Sequence, residues 1–402
     1  MPKYIYTAKS DPAKTVQGEI DAESHHDAIN KLNAMGYFPV SLRPEDLSFD
    51  KQGIWRFWRV SNKDIVLFTR QLATLVESGV NILNSLNIVT KQVSNKYLRS
   101  VLYDVAAKIK DGKSLSESLR AHPELFPQLY TSLIHSGEVG GNIEHALKRL
   151  ADFMEKEEEF KDSIRAALTY PFFILSVSVL TIAVLLGFVI PRLVSMFEDL
   201  GQILPLPTKI LIDVSAFLRS YWWLIAAAGF VFIFMLHRIY RSERGRTALD
   251  ALRLRIPVLG DIVLKSEVGL MTRTLSLLTS SGMPIVYSLE VSASVLGNQV
   301  LKAEIAKFNN EISAGASFSK CLAGSKLFPA FVTNIVSVGE ETGTLEKSLL
   351  RIADDYEREV DRTLKSLTRL LEPVIILVMG LIVGFIVLSM LLPIFQINLI
   401  AR

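Results

Sequence analysis

The chain has 402 residues, half of them apolar, with a formal net charge of +3 and a single cysteine. That length holds two or three domains with cores of their own. Cys321 alone excludes an intramolecular disulfide, and the net charge is unremarkable, so the placement of the charges carries the information.

Residues 4–8 (YIYTA) and 15–21 (TVQGEID) alternate as short strands, Ser24 to Met35 reads as a serine-capped helix, and Phe38 to Leu42 as a third strand. A small α/β module over 1–45 is expected. The first 30 residues hold no apolar signal-peptide core, so insertion is expected to start at internal segments. A linker over 46–60 interleaves Trp55, Phe57 and Trp58 with Arg56 and Arg59. It reads either as a patch for a bilayer surface or partner, or as a hinge whose aromatics pack on the next domain.

From Ser61 to about Tyr170 the pattern is helical. Ser61 with Asp64 and Ser114 with Glu117 form capping boxes, Gly79 is a stop, and Gly112 and Gly140-Gly141 punctuate the chain. Brief connections predict about six helices in an antiparallel bundle, a first cytoplasmic domain over 61–170. Its last helix starts near Ile143 and meets no breaker before Tyr170-Pro171, so it is expected to run straight toward a membrane.

Phe172 to Ile190 is uncharged and long enough to cross about 30 Å of hydrocarbon, which places a first transmembrane helix at 171–191. A periplasmic connection over 192–215 follows. A second span over 216–237 combines Trp222 to Leu236 with Ala216 to Leu218 and Tyr221, its tryptophans at interface level. After a basic cytoplasmic connection at 238–263 and a second cytoplasmic helical domain at 264–372, a third span covers 373–395 and a periplasmic tail 396–402. The expected fold class is a mostly α membrane protein with a small N-terminal α/β module, two repeated six-helix cytoplasmic bundles and three transmembrane helices.

Lys156, Lys161 and Arg165 precede the first span, and Arg238, Arg241, Arg244, Arg246, Arg253 and Arg255 follow the second. Between the spans, Arg192, Lys209 and Arg219 are set against Glu198, Asp199 and Asp213. Positive-inside bias puts the N-terminus and both helical domains in the cytoplasm and the C-terminus outside. Such juxtamembrane arginines read as contacts to anionic membrane lipid, and no nucleic-acid partner is expected.

The chain contains itself twice. Thr69-Arg70, Leu72, Gly79, Ile82, Ser85-Leu86, Leu98, Ile109, Gly112 and Ser114 recur 203 residues later as Thr272-Arg273, Leu275, Gly282, Ile285, Ser288-Leu289, Leu301, Ile312, Gly315 and Ser317. From Phe126-Pro127, matched by Phe328-Pro329, the offset is 202, and it holds through Gly137-Glu138 with Gly141 and Gly339-Glu340 with Gly343. A repeated domain and anchor without a repeated catalytic group reads as a scaffold.

Gly112-Lys113-Ser114 invites a phosphate-loop reading, but Ala107 stands where the earlier glycine belongs, a helix precedes it, and the second copy has Gly315-Ala316-Ser317. A helix stop followed by an N-cap explains it. The six histidines, His25, His26, His122, His135, His145 and His237, show no metal-site spacing, and neither a nucleophile elbow nor a dinucleotide fingerprint is present. No enzyme activity and no cofactor are expected.

Asp152, Glu155 and Glu159 share one helix face, and Asp354, Glu357 and Asp361 repeat the stripe, with Glu157 matched by Glu359. The stripe could hold a hard cation or basic partner residues, or be a solvated face with pairs such as Asp152 to Lys156 and Asp354 to Arg358. Glu138 and Glu340 sit in Gly-Glu-x-x-Gly turns, where a carboxylate would satisfy the N-terminal amides of the long helices they open. Gly380 and Gly384 form a GxxxG, and Gly187 matches Ser389, which suits close helix packing in an oligomer or against a partner's apolar segment. No charge lies inside any span, which counts against a transporter.

Taken together, the N-terminal module, T-R-Q-L-A-T-L-V-E-S-G at 69–79, L-F-P-Q-L-Y at 125–130, S-G-E-V-G-G at 136–141, T-R-T-L at 272–275, S-S-G-M-P-I at 280–285, V-G-E-E-T-G at 338–343, L-E-P at 371–373 and L-L-P-I-F-Q-I-N at 391–398 resemble the type II secretion system protein F family, also called the type IV pilus inner-membrane platform family. The resemblance covers essentially the whole chain, departing where Tyr170-Pro171 faces Glu372-Pro373. It implies a non-enzymatic, oligomeric platform in the bacterial inner membrane. Its partners would be a hexameric assembly ATPase, pilin-like or pseudopilin subunits and other inner-membrane assembly proteins. Partner binding would involve Gly137, Glu138, Gly141, Gly339, Glu340 and Gly343, with Gly187, Gly380 and Gly384 in transmembrane packing. The ending P-I-F-Q-I-N leans toward secretion over pilus assembly; a transporter component is the second-class alternative.

Overall fold

The computed structural model describes residues 3–11, 14–22, 25–44, 60–191 and 206–400. Ser24, the aromatic linker with Trp55, Arg56, Phe57, Trp58 and Arg59, and the segment with Arg192, Glu198 and Asp199 lie outside the described residues. The chain divides into two compact units, Met1–Asp152 and Phe153–Arg402.

In the first unit, β1 (Lys3–Asp11) pairs antiparallel with β2 (Lys14–Asp21) and with β3 (Phe38–Pro44), giving the order β2-β1-β3. Alternation brings Tyr6 opposite Gly18, where an added Cβ would stand 2.7 Å from the Tyr6 hydroxyl, so the glycine makes room for the ring. α1 (His25–Ala34) gives Ala28 and Leu32 to a core with Ile20 and Ala22, against which Tyr6 and Tyr37 pack.

The helical part holds α2 (Asn62–Glu77), α3 (Ile82–Gln92), α4 (Lys96–Lys110), α5 (Leu115–Arg120), α6 (Gln128–Val139) and the start of α7 (Ile143–Val184). Ser61 caps α2 reciprocally: its Oγ accepts from Lys63 N and its own N donates to Asp64. At α5 only one arm of the expected box forms, Glu117 N donating to Ser114 Oγ at 3.1 Å, because the Glu117 carboxylate turns to Lys113 at 3.2 Å. Gly112, with φ +93°, supplies the left-handed stop after α4, so the Gly-Lys-Ser segment is a helix end followed by a cap. Phe68, Leu72, Leu86, Leu98, Leu102, Phe126, Tyr130 and Leu133 fill the core, the Phe126 ring meeting Tyr130 edge-on at 5.0 Å.

The second unit carries the rest of α7, a π-helical turn (Leu185–Val189), α8 (Leu206–Arg241), α9 (Glu243–Arg255), α10 (Leu259–Ser280), α11 (Ile285–Val295), α12 (Gln299–Ser313), α13 (Phe318–Gly324), α14 (Ala330–Thr342) and α15 (Leu345–Ile400). Its bundle core runs through Leu275, Leu289, Leu301, Phe308, Phe318, Phe328, Val332 and Tyr356, and Cys321 is buried in it. Burial, together with neighbouring Glu311, pushes the Cys321 thiol up to about 11. The stretch 238–263, expected as a connection, contains α9 and the beginning of α10.

Among the described residues two helices are long and apolar enough to cross a membrane, Ile143–Val189 and Leu345–Leu392. Pro171 lies inside α7, and α15 likewise continues through Pro373. The π turn around Gly187 is followed by helical Ile190 and Pro191, the last described residues of that segment, and α15 continues to Ile400, so most of the expected tail is helical. α8 is a further long helix of 36 residues whose Phe230, Val231, Phe232, Ile233 and Phe234 are all exposed. It begins at Leu206, so 206–215, expected as a connection, forms its first turns.

Candidate functional site

The two Gly-Glu-x-x-Gly segments fold alike and do something other than expected. Gly137-Glu138 closes α6, and Gly339-Glu340 lies in the last turns of α14. The Glu138 carboxylate reaches back to α5 rather than forward to α7: Leu115 N donates to it at 2.6 Å, Ser116 N at 3.3 Å and Ser116 Oγ at 2.5 Å. Glu340 accepts from Phe318 N at 2.8 Å and Ser319 N at 3.0 Å, at the start of α13. Each glutamate thus satisfies orphan amides of the short helix that precedes it and pins two helices together. The expected cap on the long helix fails because the carboxylate sits before the turn, on the preceding helix.

The glycines carry the geometry. A Cβ on Gly137 would collide with the Ala146 methyl and stand 3.1 Å from Ile143 Cα; on Gly339 it would stand 2.5 Å from Ser348 Oγ and 3.1 Å from Leu345 Cα. In both copies, therefore, the long helix folds back tightly on its predecessor. Gly141 and Gly343 have φ of +65° and +67°, the left-handed turn that makes the fold-back possible.

The acidic stripes meet the arginines of the repeated Thr-Arg pair. Arg70 on α2 holds Asp152 at 2.5 Å. Arg273 on α10 holds Asp354 at 2.6 Å and both Glu357 oxygens at 2.7 Å, with its own side chain only 10% exposed. Burial works against the charge of Arg273, but the hydrogen bonds and charges of Glu357 and Asp354 prevail and raise its pKa. The sequence pointed instead to Lys156 and Arg358 as partners; these bind Glu159 and Asp355, one turn away on their own helices. Glu155 also interacts with a neighbour. Glu157 pairs with Lys161 and Glu359 with Lys265. Among the described residues no group of three or more His, Cys, Asp or Glu side chains is arranged to hold a metal. His122 bonds Asp104, and His135 Nδ1 lies 3.4 Å from Ser116 Oγ.

Beyond Phe153 the long helices of the two copies run side by side in parallel, and at Tyr170 and Glu372 equivalent positions meet. Ser163 Oγ donates to Asp361 at 2.8 Å, Thr368 Oγ1 to the Ala167 carbonyl at 3.2 Å, and the Tyr170 hydroxyl to Glu372 at 3.0 Å. Lys365 and then Ser163 hold the Asp361 carboxyl below the usual carboxylate range. The departure between copies, tyrosine against glutamate, is thus one contact made by both.

Further along, Leu186, Ile190 and Ile386 pack with Leu211 of α8. Thr208 and Ser215 lie seven residues apart on one face of α8. Thr208 Oγ1 donates to the Ser389 carbonyl and Ser215 Oγ to the Leu186 carbonyl, each at 2.5 Å. Leu186 stands in the π turn, where the widened backbone leaves carbonyls to be satisfied from outside. Among the described residues, a Cβ on Gly187, Gly380 or Gly384 would meet nothing within 4 Å. Sequence reasoning missed Arg70, Arg273, Thr208 and Ser215; the repetition of Thr-Arg at an offset of 203 was the available signal for the first two.

The family described as "Type II secretion system (T2SS), protein F" matches residues 68–191 and again 271–393, and its N-terminal domain family matches 1–43. The chain belongs to the type II secretion system protein F family. Relatives of this protein F member include "Type IV pilus assembly protein PilC" of Myxococcus xanthus, 34% identical over 98% of this chain and 94% of the relative. PilC of Pseudomonas aeruginosa is 36% identical over 91% and 97%. "Type II secretion system protein F" of Pseudomonas aeruginosa is 31% identical over 99% of both. The matched repeats of the protein F family coincide with the two bundles and their apolar helices, and the names of these relatives indicate no catalytic activity.

Proposed function

We propose that this chain is the inner-membrane platform of a type II secretion machine, coupling a cytoplasmic assembly ATPase to the growth of a pseudopilus, with the type IV pilus machine as the alternative. The observation that carries the reading is the family match to both copies of a repeat whose last helix continues without a break into an apolar segment. The N-terminal α/β module and both bundles lie in the cytoplasm, α7, α8 and α15 each cross the bilayer, and the C-terminus is periplasmic; the arginines after α8 support that orientation. Tilting of either long helix by the ATPase is transmitted to the other through the Ser163, Ala167 and Tyr170 contacts, and the movement lifts a pilin-like subunit from the bilayer. In this scheme Glu138, Glu340 and their glycines act as joints that set the shape offered to the ATPase, and Arg70 and Arg273 anchor the stripes. Gly187, Gly380 and Gly384 leave room for another copy of the chain or a partner's apolar helix. The protein itself catalyses nothing.

Relatives of both kinds span nearly the whole chain, at 34% and 36% for pilus assembly and 31% for secretion. A deletion strain separates the two: loss of extracellular enzyme release with surface pili intact supports secretion, and the converse supports pili. Single cysteines at Lys91, Asp213 and Lys347, probed on intact cells with an impermeant maleimide, test the topology. Labelling of Asp213→Cys alone is expected, and labelling of the other two from outside would end the platform reading. Ion or solute flux through purified protein in liposomes would favour a transporter.

A further inference from the structure

We propose that α9 and the turn after it form a monotopic seat on the cytoplasmic leaflet, with arginines on anionic phospholipid headgroups and an apolar wedge dipping among the acyl chains. The proposal rests on the reading of α8 as a membrane span. α9 starts one residue beyond the end of α8, at the level where an apolar helix would leave the bilayer. The corner is fixed: Tyr240 on α8 lies under the guanidinium groups of Arg246 and Arg253 at 5.3 and 5.4 Å, and Gly245 has no room for a side chain against the Ile239 carbonyl.

The two sides of α9 differ in chemistry. Its inner side is held to the bundle by Asp250, 2% exposed, which accepts from Gln299 N at 3.0 Å at the start of α12. On the opposite side helical spacing aligns Arg244, Ala248, Leu252 and Arg255, all exposed. No described carboxylate pairs with Arg244 or Arg255. Arg238 and Arg241, at the end of α8, are equally exposed and equally unpaired among the described residues.

The turn that follows adds the wedge. Val258 has φ 68° and ψ −55°, and Leu259 N donates to the Pro257 carbonyl at 2.8 Å, a γ-turn of the hand that a β-branched residue seldom adopts. Gly260 is pressed against the Leu254 carbonyl, so the turn is packed onto α9. The result leaves Leu252 57%, Ile256 39%, Val258 48% and Leu259 55% exposed in one short stretch, beside Arg244 and Arg255. Apolar side chains next to unpaired guanidinium groups are poorly served by water alone. A headgroup layer serves both, with phosphates for the arginines and hydrocarbon for the wedge.

The test uses the full chain in nanodiscs, in a Cys321→Ser background, with a fluorophore on Val258→Cys and nitroxide-labelled lipid as quencher. With phosphatidylglycerol present, quenching at 258 is expected to be severalfold that of the same probe on Lys307→Cys, and Arg244→Glu with Arg255→Glu should lower it to the Lys307 level. A probe on Phe232→Cys reports the span reading separately. Quenching at 232 but not at 258 overturns this proposal alone, whereas quenching at neither overturns the span reading beneath it. Equal quenching at 258 in purely neutral lipid, unchanged by the charge reversals, overturns the headgroup assignment, as does shielding of 258 that requires an added acidic protein.

Discussion

In the first repeat Tyr130 is fully buried, and its hydroxyl donates to Thr69, which donates in turn to the Ile65 carbonyl. At the equivalent place the second repeat has Val332, and Thr272 bonds only carbonyls of its own helix, those of Val268 and Gly269. The repeats differ the other way at the arginine. Arg70 meets Asp152, itself 58% exposed, whereas Arg273 is nearly enclosed and grips two carboxylates. The fold-back glycines and the glutamate caps are common to both. One plan has thus been secured twice by different polar contacts, a buried hydroxyl pair in one copy and an ion cluster around an enclosed arginine in the other. The shared features are those the backbone geometry requires, and the divergent ones are interchangeable means of fixing α2 or α10 in its bundle.

The most severe way to break this comparison is at the arginines. Arg273→Met should cost about 2–3 kcal/mol by removing charge-assisted hydrogen bonds to two partly solvated carboxylates. Arg70→Met should cost about 1 kcal/mol or less, because its partner is solvated. Hydrogen exchange on the full chain, resolved by domain, measures both, and equal losses would remove the distinction.

Next come the fold-back glycines. Gly137→Ala and Gly339→Ala should each cost roughly 1–3 kcal/mol by overpacking, and similar losses in the two domains are expected from their shared geometry. A neutral Gly339→Ala would mean that Ser348 moves aside.

Thr69→Val should destabilise the first domain by about 1–3 kcal/mol, since the buried Tyr130 hydroxyl loses its acceptor. Thr272→Val should be close to neutral by the same exchange measurement. Smaller again is the contact between copies: a double-mutant cycle of Tyr170→Phe and Glu372→Gln should give a small favourable coupling, and zero coupling would show that the helix pair does not depend on it.

The smallest effect is one of pH. Burial raises the Asp104 pKa, but hydrogen bonds from Lys108 and His122 more than offset this and hold the carboxyl below its ordinary 3.8. Its contribution is therefore fully present above pH 3.8 and disappears as pH falls through the lowered folded value. The second repeat has Lys307 at that position, paired loosely with Glu311 at 3.8 Å. Thermal melts of Asp104→Asn against the parent should differ at pH 7 and converge in acid; a gap that persists in acid would assign the effect to packing.

Much of the architecture could be read from the chain because it rests on local rules. The duplication, the Ser61 cap, the stop at Gly112 and the two long apolar helices follow from spacing, side-chain hydrogen-bonding chemistry and the length a bilayer demands. The beginning of α8 at Leu206 could not be read, since Thr208, Asp213 and Ser215 look like connection residues until two of them are seen donating to carbonyls of neighbouring helices. Helix α9 was hidden by its charge, which makes a partnered helix and a basic loop look alike.

The sequence by itself determined that two copies of one helical unit each end in an apolar helix, because periodicity and hydrophobic length are properties of consecutive residues. Tertiary structure alone decided that Glu138 and Glu340 cap the helix behind them, that Asp152 belongs to Arg70 and Asp354 with Glu357 to Arg273, and that Tyr170 meets Glu372. Those pairs lie from 21 to 202 residues apart. A carboxylate's partner is whichever donor the packed backbone brings within about 3 Å, and no local rule states which donor that will be.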